Sequence, residues 1–91
     1  MILSFRHKGL AAFWQEGSIA GITPGHAERL QRRLDALNQA TRAEDLNVPG
    51  FNFHKLRGRP PRWSIHVNGP WCVTFEWQGE DAVRVDYEQY H

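Results

Sequence analysis

The second half of the chain alternates apolar and polar residues with a period of two, and this pattern constrains the fold most. The alternation covers residues 63–67, 71–77 and 83–87, with glycine-containing turn sequences at 68–70 and 78–80. Such alternation is typical of strands that bury one face, and short connections favour antiparallel neighbours. We therefore predict an antiparallel sheet of three or four strands here, the first of which begins at residue 51.

The apolar pattern also predicts how the central hairpin pairs. A three-residue loop at 68–70 places Val67 opposite Trp71 and Ile65 opposite Val73, which keeps apolar side chains on one face. A two-residue Asn-Gly loop is the commoner hairpin connection, but it would mix the two faces. With the longer loop, the other face carries mainly polar residues, namely His54, Ser64, His66, Cys72 and Thr74.

The first half predicts one short strand and two helices. Residues 1–5 read as the strand and 7–16 as a helix that stops at Gly17. Thr23 and Pro24 are typical of a helix start, so the second helix is expected from there to about residue 40. Its apolar stripe contains Ala27, Leu30, Leu34 and Leu37, and its expected solvated face contains Glu28, Arg29, Arg32 and Arg33.

Length and composition indicate one soluble α+β domain over residues 1–91, with the helices on one face of the sheet. The net charge of +1 predicts no nucleic-acid partner by itself, but residues 55–62 contain four cations and no acid. The single cysteine excludes an internal disulfide. Neither a signal-peptide pattern nor a membrane-spanning apolar run is visible, so we expect a cytosolic protein with no membrane association.

Histidines and cations indicate proton-transfer chemistry. The sequence ends Tyr90-His91 directly after a predicted strand, which would hold this imidazole in place. His54 precedes the basic segment. Two histidines, a tyrosine and clustered cations are what RNA cleavage without a metal would need. The spacing of His54, His66 and His91 matches no regular zinc motif, so we expect neither a metal nor another cofactor.

Six segments, spread over almost the whole chain, match a known pattern in order and spacing. They are Ser4-Phe5-Arg6-His7-Lys8-Gly9-Leu10, Leu46-Asn47-Val48-Pro49-Gly50-Phe51, His54 with Leu56-Arg57-Gly58, Trp63-Ser64-Ile65-His66-Val67-Asn68, Trp71-Cys72-Val73-Thr74-Phe75 and Asp86-Tyr87-Glu88-Gln89-Tyr90-His91. Together they resemble the HigB-type toxins, the host-inhibition branch of the RelE/ParE superfamily. The resemblance implies a RelE-like microbial RNase fold and a type II toxin–antitoxin module of a bacterial cytoplasm.

The resemblance also implies an activity and partners. Such toxins enter the ribosomal A site and cut mRNA without a metal, because the ribose 2′-OH attacks the neighbouring phosphate and leaves a 2′,3′-cyclic phosphate. A HigA-like helix-turn-helix antitoxin binds the toxin, and operator DNA is contacted only through this antitoxin.

Family positions carry over to particular residues of this chain. His54, Tyr90 and His91 match the catalytic positions, and Arg57 stands where the family usually has lysine. Cys72 replaces the arginine expected to hold the scissile phosphate, and Gln89 replaces an aspartate. Phosphate or RNA contacts are therefore expected from the remaining cations and from position 72, namely Lys55, Arg57, Arg59, Arg62 and Cys72.

Two alternatives stay open at this point. Cys72 favours an attenuated or non-catalytic member that acts only as antitoxin-binding partner and co-repressor. A ParE-like gyrase inhibitor is the other alternative, although such proteins generally lack the terminal Tyr-His pair.

Overall fold

The computed structural model describes residues 1–90 and contains two helices and one four-stranded sheet. The helices are α1 (Lys8–Glu16) and α2 (Ala27–Gln39), followed by a 3₁₀ turn at Ala43–Leu46. The strands are β1 (His54–Leu56), β2 (Arg62–Asn68), β3 (Trp71–Gln78) and β4 (Asp81–Gln89), and they form an antiparallel sheet in the order β1-β2-β3-β4. The predicted α+β class is confirmed. None of the helices in residues 1–90 is long and apolar enough to cross a membrane.

The core lies between the helices and one face of the sheet. Fully buried leucines of the helices pack against fully buried residues of β2, β3 and β4, and each contributes roughly 1.5–3 kcal/mol by leaving water. The predicted stripe on α2 is confirmed at its three leucines. The core residues with no exposed surface include Leu10, Leu30, Leu34, Leu37, Ile65, Val73, Phe75 and Val85.

The N-terminal segment runs beside β4 without forming a regular strand. Isolated parallel bridges join Ile2 to Ala82 and Phe5 to Val85. Backbone N–H groups of Leu3 and Arg6 donate to carbonyls of β4 at 2.9 and 2.8 Å. The predicted strand at 1–5 is therefore an irregular edge segment, which still satisfies much of the exposed edge of β4.

The central hairpin has the predicted register but a different turn. Trp63 lies opposite Phe75, Ile65 opposite Val73 and His66 opposite Cys72, as predicted. The register then shifts, so that Asn68 rather than Val67 pairs with Trp71, and only two residues form the turn. The three-residue loop was wrong because a β-bulge absorbs the extra residue and keeps both apolar faces aligned.

A second bulge changes the reading of β4. Glu76 pairs with Val83 and Thr74 pairs with Asp86, so β4 carries one residue more than β3 in this interval. Arg84 has a positive φ of 52° there. Because of the bulge, Val83 lies on the face of the sheet away from the helices, and Ala82 occupies the core position instead.

The start of α2 also differs from the prediction. Pro24 and Gly25 form a turn that Thr23 closes by accepting a hydrogen bond from the His26 N–H at 3.1 Å, and the helix begins at Ala27. Gly25 has a φ of +86°, which glycine tolerates and which ends any helical path from Pro24.

Arg33 was expected on the solvated face of α2, but it is buried. Its Nε donates to the carbonyl of His66 at 2.7 Å, and its guanidinium lies 4.7 Å from the centre of the Phe51 ring. A paired guanidinium with an apolar stem fits such a buried position, because its donors are satisfied. Arg33 therefore ties α2 to β2 rather than presenting charge to a partner.

Candidate functional site

The site predicted from sequence lies on the face of the sheet that the helices do not cover. We call this the polar face, and its central residues are His54, Ser64, His66, Cys72, Thr74 and Glu88. Register places them in two rows: His54, Ser64 and Thr74 lie side by side on β1 to β3, and His66, Cys72 and Glu88 on β2 to β4. Residues directly opposite in a sheet share a face, so these side chains form one surface.

His54 is exposed at the start of the edge strand β1. Its Nδ1 lies 2.9 Å from the carbonyl oxygen of Asn52. A carbonyl only accepts hydrogen bonds, so Nδ1 carries the proton in this contact and neutral His54 keeps an unprotonated Nε2. Because His54 is exposed, this nitrogen is free to accept a proton from a bound substrate.

An arginine, a threonine and a glutamate occupy the middle of the polar face. Nη1 of Arg62 lies 3.3 Å from the hydroxyl of Thr74 and 3.0 Å from a carboxylate oxygen of Glu88. The Thr74 hydroxyl donates to the same Glu88 oxygen. Thr74 is buried, whereas the side chains of Arg62 and Glu88 are 24% and 28% exposed. The cation is thus positioned across three strands and remains reachable from solvent.

Cys72 lies under the turn at one end of this face. Its thiol is buried, and Sγ lies 3.9 Å from the carbonyl oxygen of Pro70 and 4.0 Å from that of Tyr90. The sequence prediction placed Cys72 beside His66 on the polar face, and the register confirms it. Position 72 therefore faces the candidate site but supplies no charge comparable to a guanidinium.

Tyr90 is held at this same end of the sheet. Its backbone N–H donates to the carbonyl of Pro70 at 2.8 Å, and its residue is 38% exposed. The end of β4 is therefore held against the β2–β3 turn up to Tyr90, which agrees with the expectation that the sheet holds this segment in place. His91 was predicted to be catalytic, and it lies outside the described residues 1–90.

His54 and Tyr90 stand at opposite edges of the sheet. His54 belongs to β1 and Tyr90 follows β4, so three strand spacings of about 4.8 Å, or roughly 14 Å, separate these strands. The guanidinium of Arg62 reaches across the intervening strands to Thr74 and Glu88. The structure therefore does not place the two predicted catalytic positions in direct contact; a ligand between them would lie across the arginine.

Three predicted RNA-binding arginines meet in a second feature, which we call the arginine cleft. It has a volume of about 430 Å³ and is lined by Arg6, Arg57, Arg59, Arg62, Arg84 and Glu76, together with Gly58 and Pro60. Sequence reasoning missed Arg6 and Arg84, because they are distant in sequence from the basic segment. The resemblance had marked the segment containing Arg6, but nothing in the spacing indicated that it lies beside β4.

Lys55 is not brought together with these arginines. It pairs with Trp63 across β1 and β2, and its ammonium lies 5.9 Å from the centre of the Trp63 ring. Alternation along β1 therefore directs Lys55 to the face opposite His54. Its predicted phosphate contact stays a prediction, and the geometry gives it less support than the arginines.

Ser64 has a feature that the sequence could not show. Its hydroxyl is fully buried between His54 and Thr74 in the same row, and within residues 1–90 it has no hydrogen-bond partner. His66, beside it on β2, is occupied: Nε2 lies 3.0 Å from the carbonyl oxygen of Gly69. The described residues also contain no group of three histidine, cysteine or acidic side chains arranged to bind a metal.

Comparisons with known proteins agree on one family. A family model described as "RelE-like toxin of type II toxin-antitoxin system HigB" matches residues 3–91. A curated protein named Endoribonuclease HigB, from Proteus vulgaris, is 38% identical over 92 residues, which covers the whole of both chains.

Proposed function

Because the chain belongs to the HigB family of RelE-like toxins of type II toxin–antitoxin systems, we propose that it is an endoribonuclease that cuts mRNA on the ribosome. Family membership supports a toxin with an antitoxin partner, and the name of the 38% identical relative supports RNA cleavage. The finer proposals are cleavage in the ribosomal A site, a HigA-like helix-turn-helix antitoxin, operator contact only through that antitoxin, and action in the bacterial cytoplasm.

The observation that carries the proposal is that Arg62 lies on the same sheet face as His54, the face not covered by the helices, and that its guanidinium contacts Thr74 and Glu88 there. Cleavage by a ribose 2′-OH needs a proton acceptor, a proton donor and positive charge near the phosphate. Nε2 of His54 suits the acceptor, since Asn52 occupies Nδ1. Arg62 supplies a charge that is always present near neutral pH.

In the proposed reaction, His54 removes the proton of the 2′-OH and the oxygen attacks the adjacent phosphorus. The P–O5′ bond breaks, a 2′,3′-cyclic phosphate forms, and His91 protonates the leaving 5′-oxygen. Each positioned acid or base contributes on the order of 10²–10⁴-fold. Tyr90 orients the nucleotide by stacking or by its hydroxyl. None of these steps uses a metal.

Cys72 supports a second candidate function. The thiol is buried at the position of the family arginine and gives no charge to a phosphate. A toxin without this charge would still bind its antitoxin and act as co-repressor. We therefore propose weak cleavage for the chain as given, and antitoxin binding alone if the activity is lost entirely.

Ribosome dependence tests the proposed function. Purified protein should leave naked mRNA largely intact and cut it on programmed ribosomes, because a net charge of +1 provides little affinity for free RNA at physiological ionic strength. Cleavage sites would be mapped by primer extension. Rapid cutting of naked mRNA at many positions would contradict the proposal.

A matched pair of variants assigns the proton acceptor in the same assay. His54→Gln should reduce the single-turnover rate about 10²–10⁴-fold. His66→Gln should leave the rate within a few fold, because the His66 ring already engages the Gly69 carbonyl. Equal effects of the two substitutions would remove His54 from the assignment.

A further inference from the structure

The arginine cleft gathers positive charge from distant parts of the chain. Arg6 comes from the N-terminal segment, Arg57 and Arg59 from the β1–β2 loop, Arg62 from the start of β2 and Arg84 from the bulge in β4. The cleft is lined by these five arginines and by one acidic residue, Glu76, and Arg62 also pairs with Glu88 on the polar face, although the whole chain carries a net charge of only +1. Converging like charges repel one another, and a bound anion would relieve that repulsion.

Arg84 is placed in the cleft by an unusual backbone conformation. Its φ of 52° lies in the left-handed region, which a residue with a long side chain rarely adopts. The bulge allows this conformation, and the hydroxyl of Ser4 accepts a hydrogen bond from the Arg84 N–H at 2.8 Å. Such strain persists where the surroundings hold it, and it is concentrated at functional sites.

Glu76 is the built-in counter-ion of the cleft. Its carboxylate lies 3.1 Å from Nε of Arg84, and its side chain is 15% exposed against 62% for Arg84. Because Arg84 is largely exposed, solvent weakens this ion pair, and an incoming anion can compete with Glu76 for Arg84.

Arg62 connects the cleft to the candidate catalytic surface. The same side chain lines the cleft and contacts Thr74 and Glu88 on the polar face. An RNA strand whose scissile phosphate lies near Arg62 would therefore run into the cleft with a neighbouring phosphate. None of the residues that line the cleft belongs to α1 or α2.

We propose that the arginine cleft binds a phosphodiester group of the RNA strand being cut, next to the scissile position. Arg6 and Arg84 are the new phosphate ligands in this proposal, and Glu76 is displaced from Arg84 when the phosphate binds. The inference rests on the proposed function, and it names a substrate subsite that the predicted catalytic positions do not include.

The test measures binding of short RNA to the purified full chain at low ionic strength, so that cleavage is not required. The probes are oligonucleotides of two and of six nucleotides with 2′-O-methyl riboses, which cannot be cut by a 2′-OH. Binding and salt dependence would be followed by calorimetry, and the arginine Nε–H signals by NMR. We expect saturable binding of the six-nucleotide RNA with shifts at Arg84 and Arg6.

Charge-matched variants separate the cleft from general attraction. Arg84→Gln should weaken binding of the longer RNA several-fold and lower the salt slope by about 0.7, the value for one phosphate of a single strand. Arg32→Gln removes the same charge from an exposed pair with Glu28 on α2 and should change neither quantity. Glu76→Gln should tighten binding, whereas Glu28→Gln should not.

Three results would overturn the inference. The first is equal weakening by Arg84→Gln and Arg32→Gln. The second is an Arg84 effect seen only with intact ribosomes and never with the six-nucleotide RNA, which would assign the cleft to ribosomal RNA. The third is loss of antitoxin affinity in Arg84→Gln with unchanged RNA affinity, which would assign it to the protein partner.

Different results would contradict RNA binding at the cleft and the proposed cleavage of mRNA. RNA binding at the cleft with no cleavage of ribosome-bound mRNA would overturn the function and leave an RNA-binding cleft. Cleavage that is unaffected by Arg84→Gln at limiting mRNA concentration would support the function and overturn the cleft as a substrate subsite.

Discussion

At the scale of single residues, we propose that the residue at position 72 sets the rate of RNA cleavage. The thiol of Cys72 lies on the polar face beneath the carbonyls of Pro70 and Tyr90. A guanidinium at this position would bring a second permanent charge to the face that already contains Arg62. Arg62 alone is partly neutralised, because Glu88 lies 3.0 Å from it.

Cys72→Arg should raise single-turnover cleavage on ribosomes by about 10²–10³-fold, the range found for one positioned transition-state donor. The substitution leaves the core residues of β3 in place, so the fold should be retained, while the larger side chain has to extend past the Pro70 and Tyr90 carbonyls that cover the thiol. Cys72→Ser is the control, since it removes the thiol without adding charge. Equal rates for the arginine and serine variants would show that position 72 does not hold the phosphate.

The terminal residue is tested in the arginine-containing background. Removal of His91 from the Cys72→Arg protein should abolish growth inhibition, because the proposed proton donor is lost. Binding to the antitoxin should persist, since the truncation leaves every core residue of the described chain in place. Undiminished toxicity after this truncation would exclude His91 as the proton donor.

At the scale of secondary-structure elements, a buried pair locks the start of α2 to β4. Nδ1 of His26 lies 2.6 Å from the hydroxyl of Tyr87, which also accepts a hydrogen bond from the Thr23 N–H at 3.3 Å. The hydroxyl is thus suited to donate to an unprotonated Nδ1. Burial, with the nearby charge of Arg29, lowers the pKa of His26 below 6.5.

This pair predicts a loss of stability in mild acid. Below about pH 6.5, His26 binds more protons in the unfolded chain than in the folded one. The contribution of His26 to the free energy of unfolding is therefore complete above this pH and declines below it. Between pH 7 and pH 5, the free energy of unfolding measured with urea should fall less for His26→Gln than for the unsubstituted chain. A decline of equal size in both proteins would contradict the assignment.

Tyr87→Phe provides the companion measurement at pH 7. It keeps the ring that stacks on Trp71 but leaves the Thr23 N–H and His26 Nδ1 without their shared partner. The expected cost is about 1–3 kcal/mol, as for buried polar groups that lose a hydrogen bond. A change below 0.5 kcal/mol, roughly that of an ordinary surface substitution, would mean that the hydroxyl does not hold this turn.

At the scale of the whole molecule, the sequence predicted the layers and the central pairing but not the places where the chain departs from regularity. Period-two alternation identified β2 and β3 because their inner residues are apolar. The two bulges could not be read from it, since each adds a residue while the core remains filled. The burial of Arg33 was missed for a related reason: its partners, Phe51 and the His66 carbonyl, are brought to it only by folding.

The candidate site also contains residues that the sequence predicted and residues that it did not. Local sequence and family resemblance predicted His54, Tyr90 and position 72 on or beside the polar face. The arginine cleft depends on Arg6 and Arg84, which only the docking of the N-terminal segment against β4 brings together. Long-range contacts of irregular backbone leave no periodic signal in sequence.

The central claim is that RNA is cut by its own 2′-OH, and the chemistry of the product ends tests it most directly. Ribosomes programmed with mRNA would be treated with the natural chain and with Cys72→Arg, and the fragments analysed by mass spectrometry. We expect a 2′,3′-cyclic phosphate on the upstream fragment, a 5′-hydroxyl on the downstream fragment, and no cleavage when the nucleotide before the cut carries a 2′-deoxyribose. Fragments ending in a 3′-hydroxyl and a 5′-phosphate, or normal cleavage of the 2′-deoxy mRNA, would contradict it.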